Sequence, residues 1–160
     1  MVSLVNLGTG LIQLVIAIIL AVVALYIGFS VFGKITKMDE QKELAKGNVA
    51  AGILIASIFI AIGIVVQSGI AGLSSGLSKS INGDFIALAA SIVQLIFGII
   101  FAIIAIYIAL KVIDKLTPKI PLFEELGKGN VAAALAMAGV TITTAIIIQS
   151  GISGITAALV

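Results

Sequence analysis

Residues 11–32 read LIQLVIAIILAVVALYIGFSVF and include no charged side chain. A helix of about 20 apolar residues crosses the roughly 30 Å hydrocarbon core of a bilayer. Three more uncharged runs of similar length follow, at residues 49–73, 85–110 and about 131–158. None of them shows the strict apolar and polar alternation of a transmembrane β-strand. The sequence therefore predicts an all-α integral membrane protein with four transmembrane helices.

The composition supports the membrane class and argues against several functions. Apolar residues make up 61% of the chain and charged residues 10%, whereas soluble domains have about 25% charged residues. The chain contains no Cys and no His, which removes thiolate and imidazole chemistry and, with it, most metal and catalytic sites. We therefore expect no enzyme activity, no metal and no cofactor. The net charge of +2 is spread over the connecting segments, so we also expect no nucleic-acid partner.

The lysines predict how the helices cross the membrane. Eight of the nine lysines lie in the connectors after the first and third helices, and the middle connector has only Lys79. Lysine and arginine are concentrated in cytoplasmic loops. We therefore expect a multi-pass protein of the cell membrane, with both lysine-rich loops in the cytoplasm and both termini outside.

The chain contains an internal repeat. Residues 13–36 match the sequence 81 positions later, and residues 43–72 match the sequence 82 positions later. Residues at these offsets are called equivalent below. We interpret the chain as two helix-loop-helix repeats, residues 1–80 and 81–160. Because each repeat has an even number of spans, we expect both to have the same orientation and to be related by a pseudo-twofold axis along the membrane normal.

One polar motif occurs in both repeats and carries a resemblance to a known family. The loop of each repeat ends in Glu-Leu-x-Lys-Gly-Asn-Val-Ala-Ala, at residues 43–51 and 125–133. Two spans joined by such a loop, present twice in tandem, resemble the prokaryotic membrane family called domain of unknown function 350. The resemblance implies a cytoplasmic-membrane protein without an assigned activity, whose bacterial relatives are often associated with envelope-stress genes. It implies no site residues.

Four glutamines occupy matched positions near the predicted outer ends of the helices: Gln13, Gln94, Gln67 and Gln149. Polar side chains in hydrocarbon need partners and are candidates for function. These amides could line a vestibule that binds a neutral solute or a lipid headgroup. The preferred interpretation is that they form hydrogen bonds between helices.

The Lys-Gly-Asn sequences form a second candidate site, which comprises Lys46 and Asn48 in the first repeat and Lys128 and Asn130 in the second. Each Asn stands at the start of a helix, where its side chain can accept from the free amides of the first turn. Capping is the preferred interpretation. The alternative is a site for phosphate or anionic headgroups, formed by two helix N-termini and the adjacent lysines.

Small residues form a stripe on the first helix and on the third. The first-helix stripe consists of Ala17, Ala21, Ala24 and Gly28, and its third-helix equivalents are Gly98, Ala102, Ala105 and Ala109. Small residues four apart let helix backbones approach closely in lipid. We expect these two helices to pack together across the pseudo-twofold axis, or against a second copy of the chain.

Together these patterns favour a non-enzymatic scaffold or interaction protein, and the family resemblance implies a link to membrane stress. It is expected to form homo-oligomers through its small-residue faces and to present its lysine-rich loops to the cytoplasm or to the anionic headgroups of the lipid bilayer. The alternative is a passive channel for a small solute or ion, in which several copies assemble around the glutamines and nearby hydroxyl groups.

Overall fold

The computed structural model describes residues 4–36, 38–81 and 83–159, and the side chains of residues 7–33, 38–81 and 83–154. These residues form six helices. Their bounds are α1 Leu4–Thr36, α2 Glu40–Ala45, α3 Val49–Ile81, α4 Phe85–Leu116, α5 Leu122–Gly127 and α6 Val131–Leu159. The four long helices are α1, α3, α4 and α6, and each has the length and composition to cross a membrane. The prediction of an all-α chain with four candidate transmembrane helices is confirmed.

The long helices extend beyond the predicted spans. Helix α3 continues to Ile81 and α4 to Leu116, so each reaches about 50 Å at 1.5 Å per residue. Gly76, near the end of α3, lies against the Ser91 side chain and the Ala87 carbonyl of α4. Contact with the neighbouring helix therefore holds this part of α3 in helical form.

Helices α2 and α5 lie at the same end of the bundle. The Asn48 side chain, which follows α2, donates a hydrogen bond of 3.1 Å to the carbonyl of Leu126 in α5. We call this end the lysine-rich end. The opposite end carries the α3–α4 turn, where Gly83 has a φ of 96°.

Helix α3 is the centre of the bundle. It packs against α1, α4 and α6, whereas α1 packs mainly against α3 and scarcely touches α4 or α6. A twofold axis relating the two repeats would require α6 to pack on α1 as closely as α3 packs on α4. The described helices do not pack in this way, so the predicted pseudo-twofold arrangement is wrong for the contacts within this chain.

Close packing fills the interior between these helices. Leu54, Val65, Leu95, Leu110 and Met137 are almost completely buried. Large apolar side chains cover the outer surfaces of α1 and α4, which is the arrangement expected for helices that face lipid. Because lipid is as apolar as these side chains, the contacts between helices stabilise the bundle through close packing.

Candidate functional site

Each Lys-Gly-Asn sequence forms a sharp turn between a short helix and a long one. In the first repeat, the Asn48 amide donates to the Glu43 carbonyl at 3.0 Å, and the Gly47 amide donates to the Leu44 carbonyl at 2.9 Å. These two bonds define a Schellman ending of α2. They require the left-handed conformation of Gly47, whose φ is 74°. Glycine is needed here because a side chain strains this conformation.

The Asn48 side chain then begins α3. Its Oδ1 accepts from the Ala51 amide at 3.2 Å, and its Nδ2 donates to Glu43 Oε2 at 2.9 Å. The side chain thus satisfies a free amide of α3 while it holds the end of α2.

The second repeat has the same geometry. Asn130 Oδ1 accepts from the amides of Ala132 and Ala133 at 3.1 and 3.2 Å, and Asn130 Nδ2 donates to Glu125 Oε2 at 2.9 Å. Gly129 has a φ of 82°. The repeated sequence therefore specifies one repeated local structure.

A glutamate neutralises the lysine of each turn. Lys46 Nζ lies 2.7 Å from Glu43 Oε1, and Lys128 Nζ lies 2.7 Å from Glu125 Oε1. The hydrogen bond from Asn48, followed by the one from Lys46, lowers the pKa of Glu43 below its ordinary value. The pKa of Glu125 is lowered in the same way, first by Asn130 and then by Lys128. Both carboxylates are therefore ionised at neutral pH, and each pairs with the lysine that a bound anion would need.

The hydrogen bonds of these turns favour capping over an anion site. The Asn oxygens already accept from the first-turn amides, and Glu125 raises the pKa of Lys128 through its hydrogen bond and its charge. Glu43 and Glu125 were not among the candidate residues predicted from the sequence. The Glu-x-x-Lys-Gly-Asn spacing, present in both repeats, was the signal that could have revealed their role.

The structure brings the two turns together at the lysine-rich end. Besides its bonds within the first repeat, Asn48 Nδ2 donates to the Leu126 carbonyl of the second repeat. An open cleft lies between the turns, lined by Lys46 and Gly47 on one side and by Lys128 and Gly129 on the other. Asn48 is thus a structural link between the repeats as well as a helix cap.

The four glutamines lie in different environments. Gln13 Oε1 accepts from the Ser74 hydroxyl at 3.1 Å, which joins α1 to α3. Gln94 and Gln149 are half-buried, and Gln67 is exposed on the outer surface of α3. The Gln13 bond is the kind of interhelical contact that the sequence interpretation preferred. The exposed position of Gln67 keeps it outside the interior of the chain.

The glycine of each small-residue stripe faces the partner helix of its own repeat. Gly28 of α1 lies against Ile62 of α3, and the site of a Cβ on Gly98 of α4 is 2.9 Å from Ile152 Cδ1 of α6. Ala17, Ala24 and Ala102 are buried, and Ala21, Ala105 and Ala109 are half-buried. The predicted packing of one stripe against the other is wrong within the described helices, because α1 scarcely touches α4. The alternative, packing against a second copy of the chain, stays a prediction.

A comparison with protein families matches residues 6–152 to the family described as Domain of Unknown Function, DUF350. The chain belongs to this family. The matched residues include both Glu-Leu-x-Lys-Gly-Asn motifs, so the family predicted from those motifs is confirmed. Comparisons with curated proteins and with solved structures gave no match.

The described hydroxyl groups that are buried in this DUF350 chain bond to their own helices. The buried Ser57 hydroxyl donates to the Leu54 carbonyl at 2.7 Å, and the buried Thr141 hydroxyl donates to the Met137 carbonyl at 2.8 Å. Within the described residues, no buried side-chain nitrogen or oxygen lacks a hydrogen-bond partner. These groups are therefore satisfied without a solute or a chain of water molecules.

Two small cavities lie between the helices of the DUF350 chain. Their volumes are about 10 and 20 Å³, and isoleucines dominate their linings. A water molecule needs a cavity of about 10–15 Å³ and two or more polar partners, and these apolar linings offer few such partners. Among the described residues, no group of three or more His, Cys, Asp or Glu is placed to hold a metal ion.

Proposed function

We propose that the protein is a non-enzymatic scaffold of the cell membrane that assembles with further copies of itself and presents its lysine-rich loops to the cytoplasm. In this proposal both repeats, as tandem copies of one unit, have the same orientation, and both termini are outside. The observation that carries the proposal is the apolar, closely packed interior, in which the buried hydroxyl groups bond to their own helices. The part of the helices that the structure describes offers no polar route for a solute, so packing is the role that the geometry supports best.

The lysine-rich end supports a second part of the proposal. Lys42, Lys115 and Lys119 are exposed there, and each lysine near an anionic bilayer contributes about 1 kcal/mol of attraction. The turn glutamates compensate Lys46 and Lys128. We therefore propose a weak preference of this end for anionic headgroups.

A passive channel for a small solute or ion is the second candidate. The observation that favours it is the position of Gln67 on α3 and of Thr143 and Ser150 on α6, whose side chains are exposed on the outside of the chain. Several chains would have to assemble before these groups could line a shared path.

Flux measurements with purified protein in liposomes separate the two candidates. We expect potassium, chloride and glycerol to cross these liposomes no faster than protein-free liposomes, because the interior of the chain is apolar and filled. The double variant Gln67→Leu with Gln149→Leu should behave in the same way. Circular dichroism of the same liposomes verifies that both proteins are inserted and helical. Flux in the parent protein that the double variant abolishes would overturn the scaffold proposal in favour of the channel.

A further inference from the structure

The first repeat buries a helix face that the second repeat leaves open. On α3 this face is buried, and it includes Leu54, Ser57, Ala61, Val65, Gly69 and Gly72. The equivalent residues on α6 are all exposed: Ala136, Gly139, Thr143, Ile147, Gly151 and Gly154. Spacings of three and four place each set on one side of its helix. Both helices of the second repeat, α4 and α6, pack against α3, whereas none of the described helices covers this face of α6.

Helix α4 contacts this face of α3 through a leucine side chain that packs into the space beside a glycine. Leu95 of α4 is 1% exposed and occupies the space beside Gly69, where the site of a Cβ lies 3.2 Å from Leu95 Cβ. The equivalent of Gly69 is Gly151, which has open space around it. The equivalent of Leu95 is Leu14, which is 55% exposed on α1. The chain therefore contains a second pair of the same residues, Leu14 and Gly151, and neither of them makes this contact within the described chain.

The lysine-rich end shows the same pattern. The Asn48 side chain donates to the Leu126 carbonyl, and the Leu126 side chain is 1% exposed. The equivalent of Leu126 is Leu44, which is 47% exposed on α2. The equivalent of Asn48 is Asn130, whose side chain bonds within its own turn and to Glu125. A second contact between a turn and a short helix is thus also available, with Asn130 on one side and Leu44 on the other.

The opposite side of α3 shows the reverse asymmetry. Ala138 and Ala145 of α6 are buried, whereas their equivalents on α3, Ala56 and Gly63, are exposed. The first repeat is therefore open on the side of α3 that includes Ala56 and Gly63, and the second repeat is open on the face of α6 that includes Gly151. These two open sides are complementary surfaces of one repeated junction.

We propose that a second copy of the chain docks with its α1 and α2 on the open face of α6, so that the junction between the two repeats recurs between chains. The inference rests on the proposed scaffold function and names its partner. Leu14 of one copy fits beside Gly151 of the next, and Asn130 of one copy faces the Leu44 carbonyl of the next. Such a head-to-tail contact joins two different surfaces, so it forms a ring where the rotation closes and a row where it does not.

The chemistry of the open face suits a helix better than lipid chains. Glycine, alanine and threonine let a second backbone approach closely, and that approach is the main source of helix association in a bilayer. Gly69 and Gly72, the α3 equivalents of Gly151 and Gly154, are both buried, and Gly69 receives Leu95 of α4 in this way. The occupant is a copy of this chain because α1 is the sequence equivalent of α4.

Disulfide cross-linking tests the proposed contact directly, since the chain has no cysteine of its own. The test protein carries Leu14→Cys and Gly151→Cys together and is oxidised in native membranes with a membrane-permeant copper complex. A disulfide needs a Cβ separation of about 3.5–4.5 Å, close to the separation at the equivalent Leu95 and Gly69. We expect covalent dimers and longer ladders on a non-reducing gel. The matched control pairs Gly151→Cys with Val15→Cys, because Val15 lies at nearly the same depth but about 100° around α1.

The outcomes separate the inference from the scaffold proposal. Disulfide cross-linking that occurs with Leu14→Cys and Gly151→Cys (the Leu14 pair) but not with Val15→Cys and Gly151→Cys supports the docking contact. Equal cross-linking of the two proteins overturns it. A lysine-reactive cross-linker applied to the parent protein reports assembly by any surface. If that reagent gives oligomers while the Leu14 pair gives no disulfide, the docking contact is wrong and the scaffold proposal stands. If neither reagent joins chains, lipid alone covers α6 and both proposals fail.

A second variant keeps the test independent of the cysteines. Gly151→Leu fills the open gap on α6 and should reduce the lysine-reactive oligomers at least fivefold. Ser153→Leu is the control, because Ser153 and its α3 equivalent Ala71 are both exposed. Oligomers unchanged by Gly151→Leu, or lost equally in Ser153→Leu, would overturn the contact.

Discussion

Replacement of Gly69 by leucine should lower the free energy of unfolding of the chain by about 3 kcal/mol, near the upper end of the usual cost of overpacking. The site of a Cβ on Gly69 lies 3.1 Å from Leu95 Cγ and 3.2 Å from Leu95 Cβ. Leu95 is buried and cannot move aside without displacing α4. The measurement is an unfolding titration of the purified protein in mixed micelles, followed by circular dichroism.

Gly151→Leu is the matched control for this prediction. The two glycines are equivalent in sequence, so the gain in helix propensity on replacing glycine is the same in both. Gly151 has open space around it. In dilute detergent we expect the free energy of unfolding of its variant to lie within about 0.5 kcal/mol of the parent value, as is usual for surface substitutions. Equal destabilisation by the two substitutions would contradict the observed asymmetry between α3 and α6.

Replacement of Asn48 by alanine should cost about 2 kcal/mol in the same titration. Loss of the cap on α3 accounts for about 1 kcal/mol, and loss of the hydrogen bond to the Leu126 carbonyl accounts for about 1 kcal/mol more. The variant also removes the hydrogen bond that orients Glu43 towards Lys46. We expect the two repeats to lose their link at the lysine-rich end, while the long helices remain formed.

Asn130→Ala provides the comparison for Asn48→Ala. Asn130 caps α6 and holds Glu125 as Asn48 does in the first repeat, but the contact equivalent to Leu126 lies on another chain in the proposed assembly. In dilute detergent Asn130→Ala should therefore lower the free energy of unfolding by about 1 kcal/mol, the value of a cap alone. An Asn130 variant as unstable as the Asn48 variant would show that the bond to Leu126 contributes little.

Much of the fold could be predicted from the sequence because the signals were local. Uncharged runs of sufficient length predicted the four long helices, and Gly-Asn after a short polar segment predicted a helix start at Asn48 and at Asn130. The spans were predicted to end at residues 73 and 110, whereas the helices continue to Ile81 and to Leu116. Those ends depend on packing between α3 and α4 near Gly76, and this packing cannot be predicted from the sequence of either helix alone.

The partners of the helices could not be predicted in the same way. Small-residue spacing identified which side of α1 and α4 packs closely but gave no information on which helix it meets. The structure places Gly28 against α3 and Gly98 against α6. The repeat also suggested a twofold relation, since equal sequences favour equal contacts. Among the described helices the contacts are unequal, because the second repeat covers a side of the first repeat whose equivalent on the second repeat is exposed.

The candidate site was predicted in part. The caps follow from asparagine at a helix start, and the turn follows from glycine before it. The roles of Glu43 and Glu125 depend on the turn that follows each short helix. This turn brings each carboxylate to the asparagine five residues later in the chain. The bond from Asn48 to Leu126 joins residues 78 positions apart, and only the assembled bundle shows it.

The most direct test of the scaffold account is the number of chains in a particle taken from the membrane with its own lipid. The protein is extracted with an amphipathic polymer that needs no detergent, and the mass of each particle is measured by native mass spectrometry. The account predicts particles that hold two or more copies of the chain. Particles that uniformly contain one chain, at a protein density where neighbours are frequent in the membrane, would contradict it.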